Sequence, residues 1–145
     1  MLEVIKMNSN TVTRVMAIII TGQYQIIINK LNNEYYSFPH EAVRTGETPE
    51  GAISRIYKQY INESIMLADK QSYDYHDNHN NTITRVYILK TKLATCINDA
   101  LNKITFISIL NLSTSLEKGG MYLLNDDSYT LTSAVFPQLI NIFPV

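Results

Sequence analysis

This chain is poor in cysteine and in long apolar runs, and it contains no tryptophan. Among its 145 residues Cys96 is the single cysteine, which excludes an intrachain disulfide and a cysteine-based metal site. That usage is compatible with a reducing compartment, so we expect a cytoplasmic location. The longest apolar run, residues 15–20, is too short to cross a bilayer, and the N-terminal residues lack the apolar centre of a signal peptide. We expect no membrane partner.

Charge is also scarce and nearly balanced. Charged residues make up 17% of the chain, and the formal net charge is -1. A nucleic-acid-binding surface needs clustered lysine and arginine, so nucleic acid is not indicated as a partner. The hydrophobic fraction of 46% is typical of a globular protein. At this length we expect one domain with one sizeable core, covering residues 1–145.

Two β-rich runs near the N-terminus predict a hairpin. They cover residues 12–20 and 24–29, and the glycine between them suits a turn. Both runs are almost continuously apolar, which predicts burial on both faces. Residues 35–38 are rich in aromatics and predict a further short strand that leads into the next loop.

A helix with a clear N-terminal signal follows that loop. Gly46 permits a turn, Thr48 is a favourable N-cap, Pro49 suits the first helical position, and Glu50 complements the helix dipole. Apolar side chains then recur at helical spacing until roughly Ser64: they are Ala52, Ile53, Ile56, Tyr57, Tyr60 and Ile61. One side of this helix is predicted to be buried.

The C-terminal half predicts more strands and a final helix. Residues 65–75 and 83–93 are expected to form an antiparallel pair around a polar turn at 76–81, and residues 104–110 a further strand. Residues 94–103 fit a short helix or a loop, and 113–124 carry no assignment. A turn is expected at 125–128. The last helix is expected to be capped near Ser133. Its apolar face is expected to consist of Leu139, Ile140 and Phe143.

The loop and the first helix together carry a family resemblance. Phe38-Pro39 is followed by Val43, by the run Gly46-Glu47-Thr48-Pro49-Glu50, and by Ala52 and Arg55. This order resembles the Nudix box, G-x(5)-E-x(7)-R-E-U-x-E-E-x-G-U, where U is apolar. Placing Glu47 on the first acid and Arg55 on the arginine preserves the spacing between them. The resemblance implies an α/β (α+β) fold, an αβα sandwich with a mixed β-sheet between helices.

The same alignment places unsuitable residues where the family binds metal. The three helical glutamates, which in the family hold Mg²⁺ against a diphosphate, fall on Ile56, Gln59 and Tyr60. The paired glycines fall on His40 and Glu41, whose side chains narrow the approach of phosphates. A hard cation needs several anionic oxygens, and Glu47 alone does not supply them. The resemblance therefore implies a Nudix-like fold without catalytic residues, cofactor or metal.

Glu47 and Arg55 are the box residues that keep their identity. We predict that they form a salt bridge between loop and helix and are vestigial rather than catalytic, with Glu47 the remaining weak metal candidate. Glu50 is expected to serve the helix dipole, and Glu63 lies too late to replace a lost ligand.

Other side chains offer a ligand site and a metal site. A ligand in a Nudix-like cleft is predicted to meet Arg14, Tyr36, Phe38, His40, Glu41, Arg44 and Tyr60. The alternative for the aromatic residues is that they belong to the core. The run 74–79 contains Asp74, His76, Asp77 and His79, and we interpret it as a solvated turn rather than a transition-metal site.

Three functions remain open from the sequence. The first is a catalytically degenerate module that binds a nucleotide, a nucleoside diphosphate derivative or a protein. The second is a Mg²⁺-dependent Nudix hydrolase of a nucleoside diphosphate-linked substrate, with a metal site rebuilt from acids such as Glu41, Glu47 or Glu63. The third is a structural interaction protein that forms a homodimer.

Overall fold

The structure is a computed structural model, and it describes residues 11–21, 25–30, 35–61, 71–78, 81–90, 104–108, 124 and 128–133. The regular elements in these ranges are β1 (Val12–Ile20), β2 (Gln25–Lys30), β3 (Tyr36–Ser37), β4 (His40–Ala42), α1 (Pro49–Tyr60), β5 (Gln71–Asp77), β6 (Thr82–Lys90) and β7 (Ile104–Ser108). Residues 128–133 are also helical. None of the described helices is long and apolar enough to cross a membrane.

The strands form one mixed sheet with β1 at its centre. The order is β3-β2-β1-β6-β5, while β4 also pairs with β1 and β7 with β2. β1 runs parallel to β6 over nearly its whole length and antiparallel to β2 and β4. A strand with neighbours on both edges and layers on both faces must be apolar throughout. Residues Val15 to Ile19 are accordingly 0% exposed.

Alternate residues of β1 enter two different cores. Val15, Ala17 and Ile19 belong to a cluster that includes the buried side of α1. Met16 and Ile18 belong to the cluster on the opposite face, which also contains Leu131 of the helical residues 128–133. The mixed sheet thus has helical residues on both faces, and the predicted α/β fold class is confirmed.

Helix α1 begins as its sequence predicts. The Thr48 hydroxyl accepts a hydrogen bond from the Gly51 backbone N–H at 3.0 Å, and Pro49 is the first helical residue. Ala52, Ile53, Ile56 and Tyr57 face the sheet. The helix ends at Tyr60, several residues before the apolar pattern predicts, because Ile61 is already extended.

The predicted strands are confirmed where the structure describes them, with shifted bounds. β5 and β6 pair antiparallel, and β5 continues to Asp77, into the predicted turn. Ser128 is helical rather than part of a turn, so the last described helical segment begins before Ser133. The assignments at 65–70, 91–103, 109–123, 125–127 and 134–145 lie outside the described residues.

Candidate functional site

The loop before α1 is held against the sheet by backbone hydrogen bonds. The Val43 N–H donates to the Thr13 carbonyl at 2.9 Å, and the Ala17 N–H to the Pro39 carbonyl at 2.8 Å. Gly46 then turns the chain toward the helix with φ +79°, a left-handed conformation that costs glycine little. The loop therefore presents Glu47 at a fixed position beside the start of α1.

Arg55 joins this loop to the helix and to strand β4. Its Nε donates to Glu47 Oε2 at 3.1 Å, and its Nη2 to Glu47 Oε1 at 2.9 Å. Its Nη1 pairs with Glu41 Oε2, and Nη2 also reaches the Ala42 carbonyl at 3.3 Å. The predicted salt bridge between Glu47 and Arg55 is present. We call Glu41, Glu47 and Arg55 the loop cluster.

Both oxygens of the Glu47 carboxylate are engaged in the loop cluster. Oε1 accepts from Arg55 and also from the Arg44 backbone N–H at 3.1 Å, while Oε2 accepts from Arg55. A two-pronged contact of this kind is among the stronger charge-assisted interactions. Glu47 thus fixes the loop, and a cation would have to displace these donors to use it.

The three helical positions aligned with the family's glutamates differ from one another. Ile56 is 1% exposed and packs in the core beneath α1, while Gln59 is exposed. Tyr60 is half-buried, and its hydroxyl accepts a hydrogen bond from Asn29 Nδ2 at 2.5 Å. Burial raises the pKa of Tyr60 above its usual range, and the bond from Asn29 opposes that shift. The hydroxyl is therefore neutral at physiological pH.

The structure separates the residues predicted to line one cleft. Glu41 and Tyr60 lie on the α1 side of the sheet, and Arg44 is exposed in the loop leading into α1. Tyr36 packs against the core on the other side. His40, as the register partner of Met16, shares that other face. These residues border two faces rather than a single groove.

Arg14 and Phe38 also lie away from α1. Arg14 pairs in register with Thr84, and its Nε donates to the Thr84 hydroxyl at 3.2 Å. Phe38 is 0% exposed in the core cluster opposite α1, and its N–H donates to the Ser128 hydroxyl at 3.1 Å. Phe38 is thus a core residue and presents no surface to a ligand, which corrects its assignment to the cleft.

A second charged cluster lies on the other side of α1. Arg85 Nε donates to Asp74 Oδ1 at 2.7 Å and Nη2 to Asp74 Oδ2 at 3.1 Å, while Nη1 lies 3.8 Å from Glu50 Oε1. The hydrogen bond from Arg85 holds the pKa of Asp74 below its usual range. We call Glu50, Asp74 and Arg85 the strand cluster. Glu50 therefore has an ionic partner besides the helix dipole.

Asp74, His76 and Asp77 belong to strand β5 and not to a turn. Successive residues of a strand point to opposite faces, so Asp77 is separated from the other two. His79 lies outside the described residues. Within the described part of the chain no group of three or more histidine, cysteine, aspartate or glutamate side chains is placed to hold a metal ion.

Sequence reasoning missed the Asn29–Tyr60 bond, the Glu41–Arg55 pair and the strand cluster. One weak signal was available. Asn29 directly follows the apolar run of β2 and is half-buried, and a polar side chain out of full contact with water needs a partner. Its partner lies 31 positions away, which no local pattern reveals.

Neither a family model nor a curated protein matches this sequence. Solved structures do resemble it. DR0079 from Deinococcus radiodurans aligns with a TM-score of 0.63 and 20% identity, over 85% of this chain and 81% of that one. A MutT structure from work on Aliivibrio salmonicida and Vibrio cholerae aligns with a TM-score of 0.62 and 20% identity, over 90% and 96%.

A third similar structure contains a ligand. The NUDIX domain of Shewanella oneidensis NrtR, complexed with ADP ribose, aligns with a TM-score of 0.54 and 12% identity, over 89% of this chain and 88% of that one. At such identities the likeness concerns the backbone arrangement alone. The fold of this chain is the fold of Nudix and MutT proteins.

Proposed function

We propose that this chain binds a nucleotide or a nucleoside diphosphate derivative and does not hydrolyse it. The observation that carries the proposal is the state of three positions on α1. The resemblance leads us to expect metal-binding glutamates at these positions. The chain instead has the buried Ile56, the exposed amide of Gln59, and Tyr60, whose hydroxyl is hydrogen-bonded to Asn29.

Among the residues that the structure describes, the acids of the loop cluster do not fit a magnesium site; Glu63 lies outside those residues. Mg²⁺ demands near-octahedral oxygen ligands and is held through carboxylates that are free to coordinate it. Glu47 accepts three hydrogen bonds, and Glu41 pairs with the same guanidinium. A cation at this place would also lie beside the positive charge of Arg55. We therefore assign no step of a reaction to a metal here.

The fold and the side chains that border α1 support this ligand class. ADP ribose is bound by a similar domain, that of NrtR. In this chain Arg55 is saturated by two carboxylates, so it offers little to a diphosphate. The exposed Arg44 and the half-buried ring of Tyr60 remain as a cation for phosphate and an aromatic surface for a base.

Calorimetry tests the proposal directly. The purified chain is titrated with ADP ribose, nucleoside di- and triphosphates and dinucleotides, once with Mg²⁺ and once with EDTA. We expect binding of at least one ligand with an affinity that the metal does not change. Chromatography of the same mixtures is expected to show no cleavage product.

Matched variants identify the surface. Arg44→Ala is expected to weaken binding by about tenfold, the size of a lost charge-assisted contact. Lys58→Ala removes another exposed cation, in the last turn of α1, and is expected to leave binding unchanged. Mg²⁺-dependent cleavage that disappears in Glu47→Gln would overturn the proposal in favour of a hydrolase.

A further inference from the structure

Strand β5 is an outer edge of the described sheet. Every residue from Gln71 to Asp77 has a partner in β6, without a bulge, and β6 is the one neighbour of β5 among the described strands. Natural edge strands are blunted by charged side chains, above all lysine, and by proline, a bulge or short length. The charged side chains of β5 are Asp74 and Asp77, which lie on opposite faces of the strand. The seven residues of β5 include neither proline nor lysine. Such an edge is suited to accept another strand.

The side chains of β5 alternate in character. Ser72, Asp74 and His76 are exposed on the α1 side, whereas Tyr73 and Tyr75 pack against the core on the other side. Asp74 belongs to the strand cluster, where two carboxylates share one guanidinium. The cluster therefore has an excess negative charge, and the exposed His76 lies two residues further along the same face.

We propose that β5 pairs antiparallel with β5 of a second copy, with Tyr75 on the twofold axis. In this register Asp74 of each copy lies opposite His76 of the other, so two complementary pairs form. An axis at Asp74 would place two aspartates opposite each other, and an axis at His76 would place two histidines together. An imidazole N–H opposite a carboxylate can donate a hydrogen bond to it, whereas two carboxylates opposite each other repel. The Tyr75 axis gives both copies of Asp74 an imidazole partner and is therefore preferred.

A cysteine scan tests the register. In a Cys96→Ser background, Tyr75→Cys places two thiols opposite each other across the axis, within disulfide reach. Tyr73→Cys is the matched control, since Tyr73 is also half-buried on the same face. In the proposed register the α-carbons at position 73 of the two copies lie about 14 Å apart, too far for a disulfide. Mild oxidation is expected to cross-link Tyr75→Cys and not Tyr73→Cys.

A second test changes the charge of the exposed residue His76 and leaves the residues that pack in the core unchanged. His76→Glu faces Asp74 with a like charge and is expected to raise the dimer dissociation constant about tenfold in sedimentation equilibrium. His76→Lys places a permanent cation opposite Asp74 and is expected to be at least as dimeric as the original chain. A monomeric chain, equal cross-linking of both cysteine variants, or a His76→Glu dimer of unchanged strength would each overturn the proposal.

Discussion

Two charged clusters flank helix α1, and each contains one arginine and two carboxylates. In the loop cluster the side chains of Arg55 and Glu47 are 18% and 19% exposed. In the strand cluster the side chains of Arg85 and Asp74 are 27% and 35% exposed. Glu50 Oε1 lies 3.8 Å from Arg85 Nη1. The two sites thus share composition and differ in burial and in the number of close contacts.

That difference decides what each cluster contributes. Exposed ion pairs are screened by water and salt and contribute little to stability. Both clusters contain a two-pronged pair, so burial distinguishes them. Removing one partner of the more buried pair leaves a less solvated charge unsatisfied, which costs more. The loop cluster therefore fixes the conformation of the loop before α1, whereas the strand cluster adds a modest surface interaction and a charge pattern at the sheet edge.

The largest expected effect is the removal of Arg55. Arg55→Ala leaves Glu47 and Glu41 beside each other without a cation, and we expect it to lower the free energy of unfolding by about 2 kcal/mol. Urea denaturation measures this. Arg55→Lys keeps the positive charge but loses the planar guanidinium that donates to both oxygens of Glu47. It is expected to lower the free energy of unfolding by about half as much. Equal costs for Arg55→Ala and Arg85→Ala would remove the distinction between the clusters.

The coupling energy between arginine and carboxylate is expected to be larger in the loop cluster than in the strand cluster. In a double-mutant cycle, Arg55→Ala with Glu47→Ala is expected to show a coupling energy of about 1 to 1.5 kcal/mol. The same cycle on Arg85 and Asp74 is expected to give about 0.5 kcal/mol, because both side chains are more exposed. A larger coupling in the strand cluster would contradict this ranking.

The strand cluster is expected to lose its contribution in acid. The pKa of Asp74 is lowered by its hydrogen bond from Arg85, so the pair stabilises the fold above the ordinary carboxyl range of about 3.9. The contribution is lost as the pH falls through the lower folded-state pKa. At neutral pH the free energy of unfolding of the original chain is expected to be about 0.5 kcal/mol higher than that of Asp74→Asn. Thermal melts between neutral pH and pH 3 should show this advantage disappearing.

Salt is expected to produce the smallest effect. Between roughly 0.05 and 0.5 M sodium chloride, screening should reduce the Arg85–Asp74 coupling by a few tenths of a kcal/mol. The Arg55–Glu47 coupling is expected to change less, because its partners are more buried. Equal salt sensitivity of the two couplings would show that their exposure does not control them.

Local signals account for the parts of the fold that were predicted correctly. Thr48 and Pro49 specify where α1 begins through an N-cap bond and a preset backbone angle. The continuous apolar run of β1 predicts a strand buried on both faces. The salt bridge between Glu47 and Arg55 follows from residues eight positions apart around one loop.

The remaining features depend on contacts between distant segments. Glu50 lies near Arg85 because β6 runs parallel to β1 beneath α1. Phe38 was assigned to a cleft because an aromatic residue before a loop fits a ligand site as well as a core. Its burial depends on the face of the sheet that it meets and on the helical segment that covers that face.

The order of residues by itself determined the types of the described elements, the start of α1 and the presence of Ile56, Gln59 and Tyr60 where the family resemblance expects glutamates. These features depend on near neighbours along the chain. Tertiary structure decided that Arg55 is saturated, that Tyr60 bonds to Asn29, and that Arg14 and Tyr60 border different faces. The physical reason is that strand pairing and packing bring together side chains whose separation in sequence carries no information about their distance in space.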